Sequence, residues 1–234
     1  MRLDKYLSDM RIGTRKEVKE IIRKGRVKIN DSIVKKSDIH LSESDIVMVD
    51  DRVIEYLEYE YYLLNKPAGY ITATDDNFQK TIMELIDSKR KDLFPLGRLD
   101  KDTEGVLLIS NDGVLGHHLL SPKYHVDKKY YVETDKPITP EAEEIFSKPM
   151  EFDDFVASPA RFERIDDYHA YLTISEGKFH QVKRMFERIG TRVIYLNRVE
   201  FAFLNTDGLS KGEYRHLTKE EIKELYKLAN LNMK

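Results

Sequence analysis

The segment from Gly97 to Gly113 constrains this chain more than any other part of its sequence. Arg98 is followed two residues later by an acid, Asp100, within a stretch bounded by glycines. The apolar run 106–109 comes directly afterwards and is typical of a buried strand. We therefore expect a loop that holds one carboxylate rigidly at the edge of a sheet. The guanidinium is expected to lie close enough to keep that acid ionised, because a nearby positive charge lowers a carboxylate pKa.

The triplet Arg-Leu-Asp alone would indicate only a surface turn, in which an ion pair contributes ~0–1 kcal/mol. The pattern, however, continues over many contiguous positions through Asp112. As a whole, the segment closely resembles the signature of the RsuA-type pseudouridine synthases. This resemblance implies that Asp100 is the catalytic nucleophile. Asp102 is the rival acid in the same segment, and chemistry alone does not choose between the two.

Composition narrows the class of protein. The chain has 234 residues, of which 41% are hydrophobic and 35% charged, as in a soluble globular protein with a small and a larger domain. It contains no cysteine, which excludes a disulfide framework, a thiolate nucleophile and a thiolate metal ligand. The N-terminal residues lack the apolar core of a signal peptide, and no apolar run approaches the length that spans a membrane. We expect a cytoplasmic protein that makes no membrane contact.

Charge is distributed unevenly along the chain. The formal net charge is −3, which by itself argues against a nucleic-acid-binding protein. Residues 1–30, however, carry ten Lys or Arg and four Asp or Glu, a balance of +6, so the remainder carries −9. Positive charge concentrated at one end is typical of a nucleic-acid-binding module. The acidic residues 50–60 are predicted to be a linker that does not lie along a nucleic-acid backbone.

The basic N-terminal segment has the pattern of two short helices followed by a strand. Thr14 and Glu17 form a predicted capping box, and Val18 begins the buried face of the second helix. Three cations lie four residues apart on another face of this helix, and a fourth follows it: Arg15, Lys19, Arg23 and Arg26. Cations alone indicate only a solvated surface, but the segment from Met1 to Val49 resembles an S4 RNA-binding domain. The resemblance implies that these four side chains contact RNA phosphates.

The rest of the chain mixes strand and helix patterns without the regular alternation of a βαβ protein. This mixture favours an α+β fold with a mixed, mostly antiparallel sheet. The pattern also predicts a strand at 70–74 and a helix that begins at Thr139 with Pro140 at its first position. We predict two domains: residues 1–57 form the S4-like RNA-binding domain, and residues 58–234 form what the resemblance implies is the pseudouridine synthase domain.

A second motif, Lys128-Lys129-Tyr130-Tyr131, lies at the start of a predicted strand. Taken alone, it indicates two strand tyrosines, one of which faces the core. It resembles the Lys-x-Tyr motif of the same family, which implies that Tyr130 is the active-site tyrosine. Adjacent strand residues point to opposite faces, so only one of the two tyrosines can enter the site. A shifted register would give the role to Tyr131.

A third motif extends from Glu176 to Phe186 and includes a predicted helix. It resembles the third motif of the family, which implies that Lys183 pairs with the catalytic aspartate. The side chains predicted to contact RNA near the site are Arg98, His180, Gln181 and Arg184. The form of this motif resembles the branch of the family that acts on small-subunit rRNA. Further along, Asn197 stands where relatives commonly have histidine, so the role of that position is open.

The resemblance covers nearly the whole chain and implies an enzyme that isomerises a uridine of ribosomal RNA, with uridine 516 of 16S rRNA as its target. This reaction breaks the C1′–N1 bond, turns the uracil and joins C5 to C1′. It therefore needs no redox cofactor, and we expect no cofactor and no metal site. The expected partner is ribosomal RNA in small-subunit assembly intermediates, with a monomer as the default state. The alternatives are the same chemistry on 23S rRNA, or a non-catalytic S4-type assembly factor that binds rRNA.

Overall fold

The computed structural model describes residues 1–42, 44–56, 58–88 and 90–233. Its internal contacts divide the chain into two compact units. One comprises Met1–Tyr59 with Ser88–Asp92, and the other comprises Glu60–Asp87 with Leu93–Lys234. The predicted domain boundary falls at Leu57, which lies outside the described residues. Each unit has a hydrophobic core of its own.

The described residues of the first unit pack two helices against a four-stranded antiparallel sheet. The elements are α1 (Leu3–Asp9), α2 (Arg15–Arg23), β1 (Val27–Ile29), β2 (Ser32–Val34), β3 (Val47–Val49) and β4 (Arg52–Val53), with the strands in the order β2-β1-β3-β4. Helix α2 begins at the predicted capping box, which is confirmed. The Thr14 amide donates to the Glu17 carboxylate at 2.7 Å, and the Glu17 amide donates to the Thr14 hydroxyl at 3.3 Å.

The predicted acidic linker is wrong in its first part, because these residues complete the sheet of the first unit. Asp50 and Asp51 join β3 to β4 as a two-residue hairpin, with φ values of 48° and 63°. Tight hairpin turns require positive φ at both central residues, and aspartate tolerates this better than most side chains. Part of the acidic composition of the segment therefore reflects the turn.

The second unit is built on a mixed sheet. Its described strands are β5 (Tyr61–Lys66), β6 (Phe94–Leu96), β7 (Glu104–Ser110), β8 (Lys128–Thr134), β9 (Met150–Glu151), β10 (Val156–Ala157), β11 (Arg161–Arg164), β12 (His169–Ile174), β13 (Val193–Phe201), β14 (Leu204–Asn205) and β15 (Tyr214–His216). The main sheet has the order β11-β12-β8-β13-β7-β5-β15, with β14 beside β13 and β6 beside β7, whereas β9 and β10 pair separately. Strands β7 and β13 run parallel, and the other described pairs are antiparallel. The predicted α+β fold with a mixed, mostly antiparallel sheet is confirmed.

The helices in the described part of the second unit are α3 (Gly113–Leu120), α4 (Ala142–Phe146), α5 (Gln181–Arg188) and α6 (Lys219–Leu228). The predicted start of α4 is wrong, because the helix begins after Glu141 and leaves Pro140 in the preceding turn. No helix among the described residues is long and apolar enough to cross a membrane.

The predicted strand at 70–74 is also wrong. This segment makes only an isolated bridge, between Ile71 and Thr81. The Thr72 hydroxyl instead donates to the Leu99 carbonyl at 2.7 Å and accepts from the Leu99 amide at 3.1 Å. The Thr72 side chain, and not a ladder of backbone hydrogen bonds, thus connects this segment to the loop that carries Asp100.

One hydrophobic cluster of the second unit lies on the face of the main sheet that carries Leu107 and Tyr130. Apolar side chains of β5, β7, β8 and β12 meet α4 and α5 there, and Phe146 and Phe186 are fully buried with ring centroids 5.1 Å apart. Gly105 lies opposite Arg198 in the parallel pair of strands β7 and β13. A Cβ atom at Gly105 would lie 2.2 Å from the Arg198 carbonyl oxygen, and its φ is +100°. Only glycine allows the two strands to approach so closely at the end of the Asp100 loop.

Candidate active site

A cavity of about 540 Å³ opens in the second unit beside the predicted catalytic segment. Its wall is formed by the loop before β7, by β8 and β13, and by the loop that leads into α5. Charged and aromatic side chains from all of these elements line it: Arg98, Asp100, Lys128, Tyr130, His180, Lys183 and Arg198. The three sequence motifs thus meet in one space, which is of a size that holds small organic groups.

Lys66 fixes the loop that carries Asp100. Its side chain is completely buried at the end of β5. The ammonium donates to the backbone carbonyls of Pro67, Asp100, Lys101 and Thr103, at 3.1, 3.0, 3.4 and 2.7 Å. Burial lowers the pKa of Lys66 to about 8, although nearby carboxylates, Asp102 first among them, oppose this effect. Sequence analysis missed Lys66, because lysine side chains are mostly exposed.

Asp100 is paired with Lys183, as the resemblance implied. The Lys183 ammonium lies 2.9 Å from Oδ2 of Asp100 and 2.7 Å from Oδ1 of Asp102. Burial lowers the pKa of Lys183, but its hydrogen bonds to the two carboxylates outweigh burial and hold that pKa above its ordinary value. His180 approaches the other oxygen of Asp100, with Nε2 3.5 Å from Oδ1.

Arg98 and Asp100 form no ion pair, contrary to the expectation from their spacing in the sequence. Among the residues that the structure describes, the Asp100 carboxylate pairs with the Lys183 ammonium and lies near the His180 ring. Leu99 is buried between Arg98 and Asp100, whereas the arginine side chain is exposed and stays in water. The rival acid, Asp102, has a side chain that is 73% exposed and lies outside the cavity wall, so Asp100 is the one that faces the cavity.

Tyr130 and Tyr131 face opposite sides of β8. Tyr130 is 7% exposed and forms part of the cavity wall. Tyr131 lies on the other face, with its ring 5.8 Å from that of Tyr171 and 6.1 Å from that of Tyr195. The register of the strand therefore places Tyr130, and not Tyr131, in the wall of the cavity that Asp100 also lines.

Two buried cations, Lys128 and Arg198, also line the cavity, and sequence analysis missed both. Lys128 donates to the carbonyls of Val126 at 2.7 Å and Ser175 at 3.4 Å. Burial first, and the charge of Arg198 second, lower the pKa of Lys128 to about 8. Arg198 is 2% exposed and donates from Nε to the Val106 carbonyl at 2.7 Å, and its Nη2 has no partner among the described residues. The alternation along β8 and β13 was the only signal that could have placed these cations inside.

Two of the predicted RNA contacts have internal partners. Gln181 is 3% exposed, donates to the Glu176 carboxylate at 3.0 Å and accepts from the Lys178 amide at 2.9 Å. Arg184 forms a double hydrogen bond with Asp154, at 3.0 and 2.6 Å, and lies over two phenylalanine rings. In this structure Gln181 shapes the loop before α5, and Arg184 ties α5 to the β9–β10 hairpin.

The predicted RNA-binding cations of the first unit are all exposed. Arg15 and Lys19 lie on α2. Arg23 is paired with Glu20 at 2.7 Å, and Arg26 with Asp50 through two hydrogen bonds, one of 2.8 Å. These four side chains lie at the surface, as phosphate contacts require.

A second ionic cluster occupies the face of the sheet opposite the cavity. The Glu104 carboxylate accepts from the Tyr195 hydroxyl at 2.6 Å and pairs with the Lys211 ammonium at 2.6 Å. Burial raises the pKa of Glu104, but these hydrogen bonds outweigh it and hold that pKa below its ordinary value. Asn197 lies in register with Glu104, and its Oδ1 is buried without a partner in the described part of the chain.

The cavity therefore combines a carboxylate, a fixed ammonium and an aromatic ring around an open space. A carboxylate held in this way can act as a nucleophile or as a base. An aromatic wall such as Tyr130 can pack against a planar ring. The arrangement suits chemistry on a sugar that carries a flat base.

The sequence of this chain is similar to known families and to known proteins. Residues 60–188 match the family model described as RNA pseudouridylate synthase, and residues 1–47 match that of the S4 domain. A ribosomal small subunit pseudouridine synthase A of Haemophilus influenzae is 38% identical, over 97% of this chain and 100% of the relative. A ribosomal large subunit pseudouridine synthase B of Bacillus subtilis is 36% identical, over 98% and 97%.

A solved structure described as a pseudouridylate synthase aligns with a TM-score of 0.68 and 36% identity, over 96% of this chain and 99% of that one. These matches extend over nearly the full length of this chain and of the relatives. The chain therefore belongs to the RNA pseudouridylate synthase family, with an S4 domain at its N-terminal end.

Proposed function

We propose that this chain converts uridine to pseudouridine in ribosomal RNA, and that its target is uridine 516 of 16S rRNA. The observation that carries the proposal is the Asp100 carboxylate, 2.9 Å from the Lys183 ammonium, in a cavity wall that also includes Tyr130. Similarity to a small-subunit synthase supports the choice of 16S rRNA. A large-subunit synthase is nearly as similar, so 23S rRNA is the second candidate.

In this proposal Asp100 acts on the ribose of a uridine that has left its stack. It attacks C1′ as the C1′–N1 bond breaks, or it removes the C2′ proton to give a glycal, and both routes stay open. The uracil turns within the cavity, C5 joins C1′, C5 loses its proton and N1 gains one. Tyr130 packs on the uracil and assists the loss of the C5 proton. The atoms balance without an oxidant or a co-reactant.

The test is tritium release from rRNA labelled at C5 of uridine, with small-subunit and large-subunit RNA each supplied naked and protein-bound. We expect release from small-subunit RNA alone, and its loss in a 16S transcript with cytidine at position 516. Asp100→Asn should abolish release and leave RNA affinity near that of the wild type, because the change removes charge and keeps shape. Turnover retained in this variant would refute the role of Asp100.

Two other outcomes of this experiment would support the alternative functions. Release from large-subunit RNA would keep the chemistry and replace the target. Tight binding without release from any RNA would instead favour an assembly factor that binds rRNA without modifying it.

The RNA-binding role of the first unit rests on its exposed cations. If Arg15 and Lys19 contact phosphates, replacing both with alanine should weaken binding to any RNA sequence. It should also make the slope of log affinity against log salt shallower by about 1–2. Lys148→Ala, at an exposed lysine of the second unit that is paired with Glu144, is the matched control. An unchanged slope in the double variant would remove α2 from the RNA-binding surface.

A further inference from the structure

Phe179 is exposed at the wall of the cavity that holds Asp100. Its relative exposure is 72%, and it lies in the loop before α5. Its ring stacks on His180, with centroids 3.8 Å apart and planes 18° from parallel. Exposed phenylalanines also occur elsewhere in this chain, and a single one needs no explanation. Phe179 differs because its stacking partner contacts the Asp100 carboxylate.

The loop that carries the exposed Phe179 ring is anchored by hydrogen bonds on both sides. The buried Gln181 side chain bonds to Glu176 and to the Lys178 amide. Glu176 is 6% exposed and also accepts from the Ser158 amide at 2.8 Å. His180 adopts a φ of +50°, which few side chains other than glycine tolerate. Buried hydrogen bonds thus hold an apolar ring in water, next to the proposed reacting carboxylate.

A nucleobase is the ligand that this pair of rings fits best. Bases are flat, and they stack on aromatic side chains whatever their sequence, contributing about 1–3 kcal/mol each. A uridine that leaves its stack also exposes the face of its neighbour, which loses the contact it had. A flat ring fixed at the mouth of the cavity can replace that contact. The Phe179 ring brings no charge, so it adds no repulsion towards the phosphates.

We propose that Phe179, backed by His180, is a stacking platform for the base next to the target uridine in the RNA strand. The platform holds the strand at the cavity mouth while the target nucleotide enters. This inference rests on the proposed function, because it takes RNA as the substrate. It adds a binding position at the mouth of the cavity, which contacts a neighbouring base and not the uridine that reacts.

The test compares Phe179→Ala with Phe179→Trp and with Phe203→Ala, a control at a partly exposed phenylalanine outside the cavity wall. Wild-type tritium release first identifies a substrate RNA. A fluorescent 2-aminopurine then replaces, in turn, the base on each side of the target. We expect binding to quench the probe on one side in the wild type and in Phe179→Trp, because stacking quenches this base.

Phe179→Ala should lose that quenching and bind RNA about 5- to 150-fold more weakly, which is the range that one lost stacking contact produces. Its thermal unfolding should match that of the wild type, since the ring is exposed. Equal quenching and affinity in Phe179→Ala and in Phe203→Ala would overturn the platform while leaving the activity intact. A wild type that releases no tritium from any RNA would overturn the proposed function instead.

Discussion

Strand β8 carries two lysines and two tyrosines in a row, and its two faces give them different environments. On the cavity face, Lys128 is 4% exposed and is held by backbone carbonyls. On the outer face, Lys129 pairs with a carboxylate, that of Glu163, at 3.1 Å and lies 4.4 Å from the centre of the Tyr171 ring. The comparison teaches that position along the strand, and not residue type, decides which side chain enters the site.

The tyrosine pair should give the largest contrast. Tyr130→Leu removes the ring proposed to pack on the uracil and should lower turnover about 100-fold or more, whereas Tyr131→Leu should stay within a few-fold of the wild type. Single-turnover tritium release measures both. Tyr130→Phe, which keeps the ring, separates packing from the action of the hydroxyl. Equal losses in the two leucine variants would break the distinction between the faces.

The lysine pair should differ in how stability depends on pH. Above about pH 8 native Lys128 has released its proton, while the unfolded chain keeps that proton up to about pH 10.5. Stability rises with pH wherever the unfolded state binds more protons. Between these pH values the free energy of unfolding of the wild type should therefore rise by about 1–3 kcal/mol relative to that of Lys128→Met. Urea unfolding of both proteins at pH 7.5 and pH 10 measures the gain. A pH-independent difference would contradict the burial of an ionisable amine.

Glu104, on β7, extends the comparison to another strand on the same outer face of the sheet. Its lowered pKa means that its ionised form stabilises the fold above the ordinary pKa of glutamate, and that this stability is lost as the pH falls. Glu104→Gln should lower the free energy of unfolding by about 1–2 kcal/mol at pH 7, because it weakens the charge-assisted hydrogen bonds from Tyr195 and Lys211. Thermal or urea unfolding at pH 7 and pH 4 should show the difference shrinking in acid. If Glu104→Gln is equally destabilised at pH 4, the loss of stability comes from packing and not from the charge.

Lys129→Met should have the smallest effect. Its pair with Glu163 is partly exposed, and such pairs contribute ~0–1 kcal/mol. Unfolding free energy and turnover should both stay close to those of the wild type. A large loss of turnover here would mean that the outer face also takes part in the reaction.

Local patterns predicted the elements that depend on neighbouring residues. The capping box at Thr14 begins α2, as the sequence predicted. Strand alternation placed only one of Tyr130 and Tyr131 in the site, and the motif chose Tyr130. The segment around Asp100 was found through a family signature, since an acid in a turn has no unique physical meaning.

Tertiary contacts decided the rest. A lysine in a sequence is expected at the surface, so Lys66 and Lys128 gave no sign that carbonyls from distant segments would surround them. Gln181 was expected to face RNA because it lies in a cationic motif, yet Glu176 turns it inwards. Arg98 was expected to pair with Asp100 because they are near in sequence, yet Lys183, 83 residues later, takes that place.

The burial of Lys66 also makes this residue a chemical reporter. An amine-selective acylating reagent reacts readily with exposed lysines such as Lys16, but it cannot reach an ammonium enclosed by four carbonyls. Acylation of Lys66 requires the loop with Asp100 to separate from the end of β5. The rate at which this one amine is labelled, relative to Lys16, therefore reports how often the loop that carries Asp100 opens in the absence of RNA.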